Sequence, residues 1–244
     1  MKPQIIALFA IKGGTAKTTT AAALLQAAAK EGLPALGIDL DPQANLSFCL
    51  GADPTQPGAL EMLNGEGINI QHSPQGMAII TGSAALATLK TYRGSALRLQ
   101  EAIKPLECDF PFIVIDTPPT IGECTLNALA ASTEALIPLE ADAFSLQALY
   151  NTISIARQMQ ENNPRLKRLY TVCTNYNGRA RINDYMLDQI RKKGKELGAP
   201  LLGTIRKAIA VKEAGAFQRS LFDYAPKSKP AEDYKALFEV VRKK

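Results

Sequence analysis

The segment with the most chemical content is a loop of glycine, lysine and threonine at residues 12–19, which reads KGGTAKTT. An apolar run at residues 5–11 precedes it and an alanine-rich stretch follows, so the loop is predicted to join a β-strand to an α-helix. Such a loop points backbone N–H groups at an anion, and the helix N-terminus adds partial positive charge. The segment therefore predicts a site for the phosphates of a nucleoside triphosphate.

Each side chain of the loop has an expected role. Gly13 and Gly14 let the backbone approach phosphate, while Lys17 is expected to reach the β- and γ-phosphates. The Thr18 hydroxyl is expected to bind Mg²⁺, and Thr19 is expected to contact the α-phosphate. The predicted nucleotide-binding residues of the loop are Gly13, Gly14, Thr15, Ala16, Lys17, Thr18 and Thr19.

Further motifs follow in order: DLDPQAN at residues 39–45, IVIDTPP at residues 113–119 and TNYNGR at residues 174–179. Asp116 ends an apolar strand and is expected to orient the water shell of the metal. The loop contains a second lysine, Lys12, directly before its glycine pair. With that lysine, the motifs resemble the deviant Walker A ATPases of the ParA/MinD superfamily over nearly all 244 residues. The chain is identified as similar to small ParA-type partition ATPases.

The resemblance implies a set of roles for this chain. Lys12 would cross a homodimer interface to the partner's nucleotide, and Asp41 would orient the attacking water near the γ-phosphate. Asp39 would lie near the magnesium or the switch backbone, and Asn175 near the adenine base. The expected cofactors are ATP and Mg²⁺, and the expected activity is a weak Mg-dependent ATPase that a partner stimulates. The implied catalytic residues are Lys12, Lys17 and Asp41, and the implied metal-site residues are Thr18, Asp39 and Asp116.

The loop departs from the family at Ala16, where glycine normally precedes the lysine. If this position requires a positive φ, a Cβ atom there costs on the order of 1 kcal/mol. If its dihedral angles are ordinary, alanine only stiffens the loop. The departure bears on the rate of hydrolysis more than on nucleotide binding.

The net charge of +5 conceals a strong asymmetry, because residues 1–150 carry −6 and residues 151–244 carry +11. Such asymmetry indicates a surface for a polyanion, or else a set of solvated helix faces. The resemblance favours binding of DNA without sequence preference. The candidate DNA-binding residues are Arg179, Arg181, Arg206, Lys207, Lys212 and Arg219. The basic run at residues 191–195 is interpreted as a solvated helix face.

Apolar runs alternate with helical stretches along the whole chain, which predicts one α/β domain over residues 1–244 with a doubly wound, mainly parallel sheet flanked by helices. No helix-turn-helix domain is expected before the loop. Four cysteines without CxxC spacing indicate reduced thiols in a cytoplasmic protein, and the resemblance implies that it is associated with the nucleoid. Strands are predicted at 4–11, 34–39, 77–81, 111–116, 134–139, 168–174 and 201–205. Helices are predicted at 18–31, 95–104, 123–131, 145–162 and 183–197.

Other functions stay open at this stage. Tyr234, Leu237, Phe238 and Val241 have helical spacing beside basic residues, which fits either a MinD-like helix on a membrane surface or a terminal helix docked on the core. The membrane interpretation ranks below DNA binding. An ATP-dependent carboxylate–amine ligase and a positioning ATPase for a protein cargo are further alternatives. A ParB-like adaptor is expected as partner, whereas the cargo is not readable from the sequence.

Overall fold

The computed structural model describes residues 3–243, and within them eight β-strands form one sheet. The strands are β1 (Gln4–Leu8), β2 (Ala35–Asp39), β3 (Gln71–His72), β4 (Ala78–Ile80), β5 (Phe112–Asp116), β6 (Glu134–Glu140), β7 (Arg168–Tyr176) and β8 (Leu201–Arg206). Their order across the sheet is β3-β4-β2-β5-β1-β6-β7-β8. All neighbours are parallel except β3 and β4.

Helices fill most connections between the strands. The α-helices in the described residues are α1 (Lys17–Lys30), α2 (Asn45–Leu50), α3 (Ala59–Asn64), α4 (Arg98–Ile103), α5 (Glu123–Ala131), α6 (Ala143–Asn162), α7 (Arg181–Glu196), α8 (Ile209–Ala216), α9 (Leu221–Tyr224) and α10 (Lys229–Arg242). Three short 3₁₀ segments lie at Ala84–Thr88, Ser95–Leu97 and Lys104–Cys108.

The central strand β1 shows why the sheet is covered on both faces. Its side chains alternate, so Ile5 and Ala7 join one hydrophobic core while Ile6 and Leu8 join another. One core includes residues of α4, α5 and α6, and the other includes residues of α1, α8 and α10. Parallel strands buried on both faces are what a doubly wound α/β protein requires. The predicted fold class is therefore confirmed.

The differences from the predicted elements are local. Strand β3, Gln71–His72, is only two residues long and antiparallel, too short for any hydrophobic period to reveal it. Helix α6 begins two residues earlier than predicted, because the Asp142 carboxylate caps it by accepting from the Ser145 N–H at 2.8 Å. The stretch predicted as a helix at 95–104 begins as the 3₁₀ segment Ser95–Leu97 and continues as α4.

The C-terminal helix α10 is docked on the sheet. Its apolar side chains Tyr234, Leu237, Phe238 and Val241 are all buried. The Phe238 ring packs edge-on against Phe112 of β5, with ring centroids 5.6 Å apart. The sequence left two interpretations for these four side chains, a membrane surface or the protein core, and in the structure they lie in the core. Within residues 3–243, no helix combines the length and apolar character that crossing a membrane requires.

Candidate nucleotide-binding site

The loop at residues 12–19 follows β1 and runs into α1, at the carboxyl edge of the sheet. It borders a cavity of about 600 Å³. All seven loop residues assigned to nucleotide binding line this cavity, as do Asp41 and Asn175. The cavity lies where parallel α/β sheets bind ligands, because the strand ends and the helix N-terminus meet there.

Lys17 is a buried cation beside this cavity. Its Nζ donates to the Ala10 carbonyl oxygen at 3.2 Å, the one hydrogen bond of this ammonium within the described residues. Burial lowers the pKa of Lys17, while the charges of Asp116 and Asp41 act to raise it. An ammonium carries three donors, so two N–H groups are left for an anionic ligand.

Asp116 is a fully buried carboxylate at the end of β5. No hydrogen bond of normal geometry within residues 3–243 reaches either of its oxygens. Burial, together with the charge of Asp39, raises its pKa well above the ordinary value, while the nearby Thr18 hydroxyl and Lys17 partly offset the rise. A buried acid that lacks donors is costly unless a cation or a proton joins it. This environment fits a Mg²⁺ site.

Asp39 lies beside Asp116, since β2 and β5 pair in register at these two residues. Its carboxylate is already engaged, because it accepts from the Ser47 N–H at 2.9 Å, the Ser47 hydroxyl at 2.8 Å and the Asp41 N–H at 3.1 Å. Burial raises the pKa of Asp39 to about 6 against the lowering effect of these bonds. These contacts hold Asp39 to the segment that follows β2, so its oxygens are less available to a metal than those of Asp116.

Asp41 follows β2 and lines the cavity. Its Oδ1 accepts from the Gln43 N–H at 2.9 Å, and no hydrogen bond to its Oδ2 is found within residues 3–243. One oxygen therefore fixes the turn while the other is available to a ligand or water.

The cavity fits ATP with Mg²⁺ by its donor set. No group of three or more His, Cys, Asp or Glu side chains that could hold a metal exists within residues 3–243. Mg²⁺ does not require one, because it keeps several waters and is bound through one or two carboxylates plus substrate phosphates. The Thr18 hydroxyl and Asp116 would supply the protein side of such a site. When bound, the metal neutralises charge that develops on the phosphates.

Ala16 has φ 64°, so the loop does hold this residue in the left-handed region. Its carbonyl oxygen accepts from the Thr20 N–H at 2.9 Å, the first hydrogen bond of α1. The conformation normally taken by glycine is therefore forced on an alanine at the point where the helix begins.

Lys12 lies at the outer side of the loop, with 31% of its side chain exposed. Its Nζ donates to Asp142 Oδ2 at 2.8 Å and to Ser145 Oγ at 2.9 Å. Lys12 therefore contacts helix α6 of the same chain, whereas Lys17 is buried beside the cavity.

Strand β7 joins the loop to the segment assigned to adenine. The Thr174 hydroxyl donates to the Thr15 carbonyl oxygen at 3.0 Å. The next residue, Asn175, lines the cavity with φ 52° and donates from Nδ2 to Glu140 Oε1 at 2.7 Å.

The candidate DNA-binding residues differ in availability. Arg206 pairs with Asp233, at 2.6 Å from Nη2 to Oδ1, and its N–H also donates to that carboxylate. The other five are exposed, and none forms an ion pair with another residue of the range 3–243. They are Arg179, Arg181, Lys207, Lys212 and Arg219. Arg206 is thus held by Asp233, and the exposed charge comes from the other five, of which Lys207 and Lys212 also line the nucleotide cavity.

Several residues that shape the site were not singled out from the sequence. They are Ser47, Asp142, Ser145 and Glu140. For Asp142 one signal existed, because Asp is a preferred residue directly before the first turn of a helix. It indicates a cap and carries no information about Lys12.

The fold and the site define a P-loop nucleotide-binding protein. A family model described as an AAA domain matches residues 3–168. The chromosome-partitioning ATPase Soj of Thermus thermophilus is 31% identical over 98% of this chain and 96% of its own length. The chain therefore belongs to this family, among the ParA-type partition ATPases.

Solved structures agree with the assignment. MinD of Pyrococcus horikoshii, complexed with Mg-ADP, superposes with a TM-score of 0.82 at 25% identity, over 99% of this chain and 96% of that one. Cobyrinic acid a,c-diamide synthase of Mycobacterium smegmatis, with bound ADP and magnesium, reaches a TM-score of 0.83 at 27% identity, over 97% of this chain and 93% of that one.

The left-handed backbone conformation of Ala16 is expected to lower the stability of the fold. Ala16→Gly should raise the free energy of unfolding by about 1 kcal/mol, because glycine adopts φ 64° without a Cβ clash. Denaturant unfolding measures the change. The matched control is Ala236→Gly, at an exposed position inside α10, which should instead lower stability by roughly 0.5–1 kcal/mol. Equal destabilisation by both changes would show that Ala16 is not strained.

The raised pKa of Asp116 generates a pH prediction for the nucleotide-free protein. The folded chain keeps this proton at pH values where the unfolded chain, with an ordinary pKa near about 4, has released it. The free energy of unfolding therefore falls as pH rises above about 4, and Asp39 adds to the fall until about pH 6. Asp116→Asn should be more stable than wild type at about pH 7.5 and show a flatter pH dependence.

Denaturant unfolding at several pH values, without nucleotide or Mg²⁺, tests this expectation. Asp109→Asn, which removes an exposed carboxylate, is the control and should leave the pH dependence as in wild type. An unchanged slope in Asp116→Asn would show that the buried carboxylate is not responsible.

Proposed function

We propose that the chain is an ATP-dependent dimerising partition ATPase that binds DNA without sequence preference in its ATP form. With a ParB-like adaptor it would position or segregate a DNA cargo such as a plasmid, chromosome or mobile element. The observation that supports the proposal is that the two lysines of one loop lie in different environments. Lys17 is buried beside the cavity, while Lys12 is 31% exposed and lies outside the lining of that cavity, so it is available to a second subunit rather than to its own nucleotide.

The chemistry proposed is weak, Mg-dependent hydrolysis of ATP to ADP and phosphate, stimulated by the partner. Lys17 offsets phosphate charge, and Thr18 with Asp116 serves the metal. Asp41, with one uncommitted oxygen at the cavity, orients the attacking water. Lys12 completes the site from the other subunit, so that hydrolysis depends on dimerisation. Most of the rate would come from positioning and charge neutralisation, as in other phosphoryl transfers.

The DNA surface is proposed at the ends of β7 and β8. These strands are neighbours, and the Lys207 N–H donates to the Tyr176 carbonyl oxygen at 2.9 Å. Arg179 and Arg181 follow β7, while Lys207 and Lys212 follow β8. Four exposed cations are therefore located after the ends of two neighbouring strands, at the same edge of the sheet. These cations would bind DNA phosphates, which gives affinity without base readout.

The alternatives are weaker on specific grounds. A MinD-like cycle on a membrane surface would need the apolar face of α10, and that face is buried in the core. Carboxylate–amine ligation is less well supported because the motifs at residues 39–45 and 116–119 resemble those of partition proteins. A protein cargo would use the same switch with another adaptor. We place the protein in the cytoplasm, associated with the nucleoid.

The DNA proposal is tested by binding of duplex DNA in the presence of a non-hydrolysable ATP analogue or ADP, over a salt series. Binding should require the triphosphate and weaken with salt. Arg179→Ala, at an exposed position outside the lining of the nucleotide cavity, should reduce affinity and lower the salt slope by about one for each DNA phosphate that the protein no longer neutralises. The control Lys195→Ala removes an exposed charge on α7 and should change little. Equal binding in ADP would contradict the proposed switch.

The dimer proposal is tested by analytical ultracentrifugation with the ATP analogue and Mg²⁺. Wild type should dimerise, and Lys12→Ala should bind nucleotide as a monomer and hydrolyse ATP poorly. The reason is that Lys12 does not line the cavity of its own subunit. Dimerisation of Lys12→Ala at wild-type concentrations would remove this lysine from the mechanism.

A further inference from the structure

Lys12 is bound by a small polar cluster of its own subunit, formed by Asp142 and Ser145 at the start of α6. Lys12 Nζ lies 2.8 Å from Asp142 Oδ2 and 2.9 Å from Ser145 Oγ. The Ser145 hydroxyl also donates to Asp142 Oδ2 at 2.8 Å. The three groups therefore close a ring of hydrogen bonds between residues 130 positions apart in the chain.

The Asp142 carboxylate serves two partners with its two oxygens. Oδ1 caps α6 by accepting from the Ser145 N–H at 2.8 Å, and Oδ2 faces the lysine. Partial burial alone would raise the pKa of Asp142, yet the hydrogen bonds from Lys12 and Ser145 make its pKa lower than usual. The acid is therefore ionised near neutral pH and holds the lysine by charge as well as by hydrogen bonding.

We propose that Asp142 and Ser145 form a latch that holds Lys12 within its own subunit, and that pairing of two nucleotide-loaded copies of this chain has to open it. The proposal rests on the proposed function, in which Lys12 reaches the nucleotide of the partner subunit. Asp142 is then a positioning residue that acts through Lys12 and sets the nucleotide-dependent threshold for dimerisation.

The strength of the ion pair suits a reversible latch. About a third of each side chain is exposed, 31% for Lys12 and 34% for Asp142. Exposed ion pairs contribute up to about 1 kcal/mol, a factor of up to about five in an equilibrium constant. A single carboxylate competes poorly with a triphosphate, which carries several negative charges. Two latches open when one dimer forms, so the factor for a single latch is squared. The dimer dissociation constant therefore changes by at most about 25-fold.

Asp142→Asn isolates the charge. Asparagine is as good a helix cap as aspartate, so Oδ1 can still accept from the Ser145 N–H while the ion pair to Lys12 is removed. With the ATP analogue and Mg²⁺, the dimer dissociation constant of Asp142→Asn should be about two- to 25-fold lower than that of wild type. Sedimentation velocity over a concentration series measures it. The affinity of the monomer for a fluorescent ATP analogue should be unchanged.

Two controls separate the latch from general effects. Asp188→Asn makes the same change of net charge on α7, where the acid pairs with Lys192, and should leave dimerisation as in wild type. In a Lys12→Ala background, Asp142→Asn should have no effect on association, because there is no lysine left to release. If Asp142→Asn does not fold, Ser145→Ala removes one acceptor of Lys12, keeps the cap, and should tighten the dimer by a smaller factor.

The outcomes distinguish the latch from the function on which it rests. If wild type stays monomeric in saturating ATP analogue, the proposed dimer and the latch both fail. If wild type dimerises and Asp142→Asn dimerises equally or more weakly, the latch alone is overturned. Tightening that persists in the Lys12→Ala background would also overturn it, because Asp142 would then act independently of the lysine.

Discussion

An excess of buried negative charge at the carboxyl edge of the sheet is the constraint on which the rest of the site depends. Strands β2 and β5 pair in register, so Asp39 and Asp116 lie side by side with no exposed surface. Asp41 lies close by, and a single buried cation, Lys17, faces the acids within the described residues. Asp39 is satisfied by backbone and hydroxyl donors, but Asp116 is not. A proton or a cation at Asp116 lowers the cost of burying this charge, and a magnesium–nucleotide complex would bring such a cation.

Much of the fold was predictable because the central strands are buried on both faces. Their apolar runs are continuous and long enough to read, as in Ile113-Val114-Ile115 of β5. Strand β3 has only two residues and pairs antiparallel at the sheet edge, so it leaves no period in the sequence. The spacing of the apolar residues in α10 predicted a helix. Whether that apolar face lies against a membrane or in the core could not be predicted, because it depends on a tertiary contact between Phe238 and Phe112.

The sequence predicted which residues lie at the site better than it predicted which residues those side chains contact. Loop geometry follows from local sequence, which is why residues 13–19 line one cavity. The partners of the charged groups are distant in the chain: Lys12 meets Asp142, Arg206 meets Asp233, and Asp39 meets Ser47. No local period or motif encodes such choices. These long-range contacts determine which charged side chains are available to a ligand. Arg206 is paired with Asp233 and in this respect differs from the other five basic residues of the candidate DNA surface.

The phosphate loop and the basic edge of the sheet are joined by a short series of hydrogen bonds. The Thr174 hydroxyl of β7 donates to the Thr15 carbonyl oxygen of the loop, and two residues later the Tyr176 carbonyl oxygen accepts from the Lys207 N–H. The loop is therefore in direct hydrogen-bond contact with the strand from which the cationic segments extend. Because the same loop also carries Lys12, the nucleotide and the proposed second subunit would both contact one stretch of eight residues, which β7 connects to the candidate DNA surface.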